Sequence, residues 1–369
     1  MLSTTLHRLS PLAAALIAST ALGDTVTINA SQDNTMYAES GALSNGQGFG
    51  IFTGSNGQGN ERRALIQFDV AGNVPAGSTI TNVTMVLTLA QTSSGPSTVS
   101  AHELSASWGE GTSDAPGGEG GGTAATTGDA TWTRRFFDTI SWTTPGGDFD
   151  AAASGSQVVQ ALGVYNWSSA GITADVQGWL DDPSSNHGWV LIGTNGTKRF
   201  ASRNGFDSER PLLVIEFEPG VAFCNDADGS LASCPCTNPG SPDTGCDIAQ
   251  GTGGVRLDVV DFDPDGSGGG TAMLVGSGYP ASGTPASVTM RSRSREAVPV
   301  VFGDGLRCVA SDTLVRVGAA FAIGGTSTRA VTHNSGPGTF SYQLWFRNKP
   351  AGFCTPDAFN TSSAYELVW

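Results

Sequence analysis

The sequence predicts an all-β protein, a jelly-roll-like β-sandwich followed by a smaller disulfide-stapled β domain. Three observations carry this prediction. Short apolar runs with two-residue alternation recur through the first 219 residues, clusters of Gly, Ser, Asn and Asp separate them, and all six cysteines follow residue 220. No window shows a convincing apolar period of 3.6, and Gly is abundant at 51 residues.

Taken in order, residues 1–23 read as a signal peptide. His7 and Arg8 precede an apolar run over 12–18, and Ala21-Leu22-Gly23 has the small-residue spacing of a cleavage site. The run is shorter than the roughly 20 apolar residues that a bilayer requires, and no later segment approaches that length. Strands are expected over 25–30, 64–70, 81–90, 97–103, 188–193 and 211–218. In the second of these, Ala64, Ile66, Phe68 and Val70 alternate with polar Gln67 and Asp69. After the Pro75-Ala76-Gly77 turn, Val83, Met85, Leu87 and Leu89 repeat the pattern against Thr84 and Thr88.

Two segments break this rhythm. The Gly-rich and acidic stretch 109–131 reads as a mobile insertion or loop. In 173–180, Val176, Trp179 and Leu180 have helical spacing, which predicts one short helical turn against the sandwich edge. Composition shifts at Pro219-Gly220, so the domains are taken as 24–219 and 220–369, with further strands at 298–302, 314–317 and 339–346.

The formal net charge of -15 argues against nucleic acid, whose phosphates call for clustered Lys and Arg. An acidic, exported chain with an even number of cysteines points to three disulfides among Cys224, Cys234, Cys236, Cys246, Cys308 and Cys354. Six cysteines allow 15 connectivities, and spacing does not choose among them. Zinc is the competing reading, although Cys234-Pro235-Cys236 is not the usual C-x-x-C knuckle.

Several ordered strings resemble one family. They are Asp33-Asn34-Thr35-Met36-Tyr37, the run 63–70, the run 74–89, Ser107-Trp108-Gly109-Glu110-Gly111, Ala130-Thr131-Trp132, Thr173-Ala174-Asp175-Val176-Gln177-Gly178-Trp179, Asn186-His187-Gly188-Trp189, Phe200-Ala201-Ser202-Arg203 and Arg210-Pro211. In this order they resemble the DNRLRE (disaggregatase-related) family of secreted β-sandwich modules, which is grouped with family-96 carbohydrate-binding modules. The resemblance implies binding of extracellular polysaccharide and implies no catalysis. That family usually has Glu after the Ser-Arg pair; here Asn204 stands there, so no carboxylate ligand carries over. The C-terminal part is similar to a Cys-rich tail of uncharacterised secreted bacterial proteins, through Cys234-Pro235-Cys236-Thr237-Asn238, the run 302–308, the run 342–347 and Phe353-Cys354-Thr355-Pro356. That second likeness implies a shared fold and export, and no chemistry.

Catalytic constellations are weak. His7 leaves with the signal, and His102, His187 and His333 read as one edge-strand and two surface-loop histidines without a Gly-x-Ser-x-Gly elbow or metal-type His pair. A glycosidase would need two carboxylates across a cleft, and the 33 Asp and Glu leave that open. Sugar binding asks for an aromatic plane and forked donors, so Arg62, Arg63, Trp142, Trp167, Arg203 and Arg210 are the candidate ligand-binding residues. Asp261, Asp263 and Asp265, followed by Gly266, resemble the first half of an EF-hand loop, but position 12 is Ala272. They and Asp33 are the candidates for a structural Ca²⁺; no cofactor is otherwise required.

The expected function is that of a secreted, non-catalytic carbohydrate-binding module. The alternatives are a structural or adhesive cell-surface protein contacting protein or matrix and, third, a glycan-degrading enzyme. The expected partners are polysaccharide or a surface protein, with no nucleic acid and no membrane span in the mature chain.

Overall fold

The computed structural model describes residues 24–226, 228–265, 267–283, 285–348, 353 and 358–369. The expected signal peptide, residues 1–23, and Cys354 lie outside the described residues. The protein is all-β, as its alternating pattern predicts, and its strands form two groups.

In the first group the principal elements are β1 (Asp24–Tyr37), β2 (Gly50–Ser55), β3 (Glu61–Phe68), β4 (Thr79–Thr92), β5 (Ser97–Glu103), β6 (Gly155–Val159), β7 (Gly163–Trp167), α1 (Ala170–Asp181), β8 (Trp189–Gly193), β9 (Lys198–Ala201) and β10 (Leu212–Glu218). All pairings are antiparallel. The order is β1-β10-β4-β9-β2-β3-β8-β5-β6, with β7 on the other side of β4. Strand β1 serves both layers of the sandwich. Its first half pairs with β10, and after a register shift between Ala30 and Gln32 its second half pairs with β3. A bulge bends a strand and re-aims it, which is how one continuous segment joins two sheets.

The side chains that alternate inward make the core. Ile66 and Phe68 of β3, Val83, Met85, Leu87 and Leu89 of β4, and Leu213 and Ile215 of β10 are all buried between the layers. Three tryptophans, Trp167, Trp179 and Trp189, share that core. The predicted helical turn is a helix of 12 residues, longer than the sequence pattern indicated. Its N-cap Ser169 accepts the Ile172 N–H, and Ile172, Val176, Trp179 and Leu180 form its buried face. Glycines at 171 and 178 break up the apolar period, which is why the sequence shows only its last turns.

The segment 109–131, read as a mobile insertion or loop, is a loop anchored to the sandwich. Short β-ladders and buried polar anchors fix it to the sandwich: Thr123 and Ala124 pair with Ser44 and Leu43, while Ser113, Glu119, Asp129 and Thr131 are buried. Its polar side chains satisfy backbone groups rather than solvent, and the composition of a packed polar loop resembles that of a free one.

The second group holds β11 (Val221–Phe223), β12 (Arg256–Pro264), β13 (Gly270–Ser277), β14 (Ala286–Ser292), β15 (Arg295–Phe302), β16 (Gly305–Val309), β17 (Val315–Phe321), β18 (Thr326–His333), β19 (Thr339–Arg347) and β20 (Phe359–Val368). A five-stranded sheet runs β11-β20-β19-β14-β17, a three-stranded sheet runs β12-β13-β18, and β15 pairs with β16. Among the described residues, strands up to Glu218 pair only with one another, and so do those from Val221 onward.

Disulfides join Cys224 to Cys308 and Cys234 to Cys246 within a small apolar cluster that includes Phe223, Leu231, Met290 and Leu306. Cys236 is also disulfide-bonded. Oxidised pairing thus replaces the zinc alternative for these five cysteines.

Candidate functional site

Tertiary packing redistributes the sequence-predicted residues. Trp142 and Trp167, expected to line a ligand surface, are 4% and 1% exposed. Their indole N–H groups donate to the Thr131 and Val99 carbonyls, and Trp167 packs edge-on against Phe200 in the sandwich core. A buried ring with a satisfied N–H has no face left for a sugar, so both are structural. Arg62 is buried too, with its guanidinium donating to the Gly120 and Asn60 carbonyls and pairing with Glu39. Arg63 lies over Trp132 at 4.8 Å and donates to the Gly146 carbonyl at 2.8 Å. It joins two strand-connecting segments and does not reach toward a ligand.

The histidines also differ from expectation. His333 is buried at the end of β18, stacked on Trp369 with ring centroids 4.7 Å apart, and is not in a surface loop. His102 contacts Ser100 and the Asp150 carbonyl, and His187 lies in a different segment with its pKa lowered by desolvation.

For the metal candidates, Asp261 and Asp263 belong to β12, and Asp265 closes the turn after it by accepting N–H groups of Ser267 and Gly269. No group of three or more His, Cys, Asp or Glu arranged to hold a metal ion occurs among the described residues.

Asp33 belongs to a different assembly. It is buried in β1, and its Oδ2 accepts the Arg203 N–H at 2.6 Å, while its own N–H donates to Glu110 Oε1 at 2.9 Å. Arg203 holds the Glu110 carboxylate with both Nε and Nη2, at 2.5 and 2.6 Å. Arg210 donates to the Gly205 carbonyl and pairs with Asp207. Asp33, Arg203 and Arg210, scattered in the sequence, therefore all brace one loop, residues 202–210.

That loop forms one wall of a cleft of about 230 Å³ on the outer face of the β4/β9 layer, lined by Phe49, Ala90, Arg199, Ala201, Asn204, Gly205, Phe206 and Glu209. Inward alternation at Leu89 and Phe200 turns Ala90, Arg199 and Ala201 outward, and their small or flexible side chains form the floor. Phe49 and Phe206 are 64% and 80% exposed, which is unusual for phenylalanine.

The walls are held from behind by buried hydrogen bonds. Ser202 Oγ donates to the Gly48 carbonyl at 2.6 Å, and the Ser202 N–H donates to the Phe49 carbonyl at 3.1 Å. The buried carboxylate of Glu119, from the insertion, accepts the Phe49 N–H at 2.8 Å and pairs with Arg199 at 3.2 Å. Glu119 adopts a left-handed φ of 62°, a conformation that costs free energy in non-glycine residues and persists where its surroundings fix it. The insertion thus supplies the pin that sets one aromatic ring and the cationic floor.

Chemically, the cleft presents two aromatic faces, one guanidinium, one carboxamide and one carboxylate. Sequence reasoning missed Phe49 and Phe206. The signal was local: each is a large aromatic flanked by glycine and polar residues, in Gln47-Gly48-Phe49-Gly50 and Asn204-Gly205-Phe206-Asp207, where no core alternation accounts for it. Compared with known proteins, the chain matches no family model and no curated sequence.

Proposed function

We propose that the protein is an exported, non-catalytic glycan-binding module whose ligand sits between Phe49 and Phe206. Residues 24–219 form the DNRLRE-like binding unit and residues 220–369 a disulfide-stapled companion. The observation that carries this reading is the pair of exposed phenylalanines flanking a preformed polar-floored cleft. Pyranose rings carry an apolar face that stacks on aromatic side chains, while their hydroxyls take forked donors and acceptors such as Arg199, Asn204 and Glu209.

Glu209 is the sole carboxylate lining the cleft, whereas glycoside hydrolysis uses a pair, which supports binding without turnover. Two disulfides, and no helix among the described residues long and apolar enough to cross a membrane, are compatible with an extracellular location.

The test is retention of the purified chain on a panel of neutral and acidic polysaccharides at low salt. Phe206→Ala is expected to weaken retention about ten-fold, as loss of one stacking face costs on the order of 1 kcal/mol. Phe49→Ala should do the same without shifting Tm. No retention on any polymer would sink the reading, and polymer shortening abolished by Glu209→Gln would replace it with a catalytic one.

A further inference from the structure

The second strand group carries a cleft that the glycan reading leaves unused. Its volume is about 330 Å³, and its lining includes Pro280, Pro285 and Ala286 on the apolar side with Gln250 and Arg347 on the polar side. Ala286 opens β14 and Arg347 closes β19. Ser287 pairs with Phe346 across these strands, so the same antiparallel register carried one residue further sets Ala286 beside Arg347. Phe321 of β17 pairs with Ala286 from its other side and is 67% exposed. Directly opposed residues of an antiparallel sheet share a face, so the Ala286 methyl and the Arg347 guanidinium both face the cleft, with Phe321 next to them on the same face of the sheet.

Arg347 is set apart by its lack of partners. Among the described residues, every other arginine makes a hydrogen bond or ion pair or lies over an aromatic ring. Arg256 pairs with Asp243 and Asp258, Arg295 with Glu366, and Arg316 lies over Trp345 at 4.9 Å. Arg347 has none of these contacts. Carboxylates are in excess, with 33 Asp and Glu against 18 Lys and Arg, yet among the described residues this guanidinium has no acid, carbonyl or ring beside it. It is a local positive spot, bordering a cavity, on an acidic molecule.

We infer that this cleft is a second binding site, which takes a small ring bearing an oxyanion, either a carboxylate or a sulfate. The planar guanidinium fork matches two oxygens of such a group, and an anion there recovers the charge-assisted hydrogen bonds that Arg347 lacks. Pro280, Pro285 and Ala286 give the ring body an apolar seat. The inference stands on different residues from the Phe49/Phe206 cleft and does not depend on it.

Isothermal titration of the full chain with sodium glucuronate and with glucose 6-sulfate, each against neutral glucose, tests the site and separates its two anion sources. At least one anion should bind, with affinity falling at high salt. Arg347→Gln should weaken it about ten-fold, the loss of one charge-assisted pair. Phe206→Ala should leave it unchanged, which distinguishes this site from the first cleft. Arg347 is exposed, so the variant is expected to keep the wild-type Tm. Absence of binding by both anions, equal affinity in Arg347→Gln, or glucose binding as tightly as the anions would each overturn the inference.

Discussion

At the scale of single residues, the cleft depends on buried polar groups more than on the residues that would touch a ligand. Asp33 shows this most clearly. Burial pushes its carboxyl up to about 7, and the nearby Glu110 charge adds to the shift, against the opposing Arg203 N–H. Its Oδ1 is buried without a hydrogen-bond partner. A folded-state pKa raised above the unfolded value means that the neutral acid is favoured by folding. The associated stability is therefore complete below about pH 4 and is lost as pH rises through about 7. Asp33→Asn keeps an acceptor for Arg203 and removes the charge. It is expected to raise stability at pH 8 by on the order of a few kcal/mol and to flatten the fall in Tm between pH 4 and 8. Thermal unfolding across that range checks this, and an unchanged pH profile would contradict it. The sequence marks Asp33 as a Ca²⁺ candidate, but nothing in it shows that this carboxylate braces a loop. Its position became informative only when Arg203, 170 residues away, was placed on it.

At the scale of elements, strands were legible and their exceptions were not. The expected strands at 64–70, 81–90, 97–103, 188–193, 211–218 and 339–346 coincide with β3, β4, β5, β8, β10 and β19 to within a few residues. Of these, β4, β5 and β10 have one buried face and therefore write a two-residue period into the sequence. Strand β9 and its partner β2 were not foreseen, because both are short and β2 is buried almost throughout, which leaves no alternation to read. Helix α1 was underestimated for a related reason, since its apolar stripe is thinned by glycine and its start is set by a cap. Ser169 supplies that cap, so Ser169→Ala is expected to cost about 1 kcal/mol and to lower Tm by a few degrees. Because Trp179 of α1 contacts Trp189 at 4.4 Å, the same variant should change near-UV circular dichroism.

At the scale of the whole molecule, the two strand groups have different sources of stability. The first has a large apolar core with three tryptophans and no cysteine. The second, like the first, has its buried apolar residues in two clusters, but adds disulfides. If residues 24–219 and 220–369 are separate domains, calorimetry should resolve two transitions, and reductant should lower only one. Cys224–Cys308 spans 84 residues and Cys234–Cys246 spans 12. In the chain-entropy account the longer loop is worth roughly 4 to 5 kcal/mol and the shorter about 3. Replacing Cys224 and Cys308 with alanine is therefore expected to lower the second transition more than replacing Cys234 and Cys246. A single transition that responds equally to both would refute the two-domain proposal.

The sequence by itself determined the fold class, because an exposed-and-buried alternation is a local consequence of a sheet with one wet face. It also located the cysteine-rich half. What only the tertiary structure decided was which polar and aromatic residues face solvent. Trp142 and Trp167 lie in Gly-, Ser- and Thr-rich surroundings, yet are buried by chain segments distant in sequence, while Phe49 and Phe206 are left outside by the same packing. Accessibility is a property of what covers a residue, and for these four the covering segments are tens of residues away or absent altogether. A cleft assembled from residues 49, 90, 199, 201, 204–206 and 209 has no linear signature, since sheet pairing together with the buried anchors of Asp33, Arg203 and Glu119 brings those positions together.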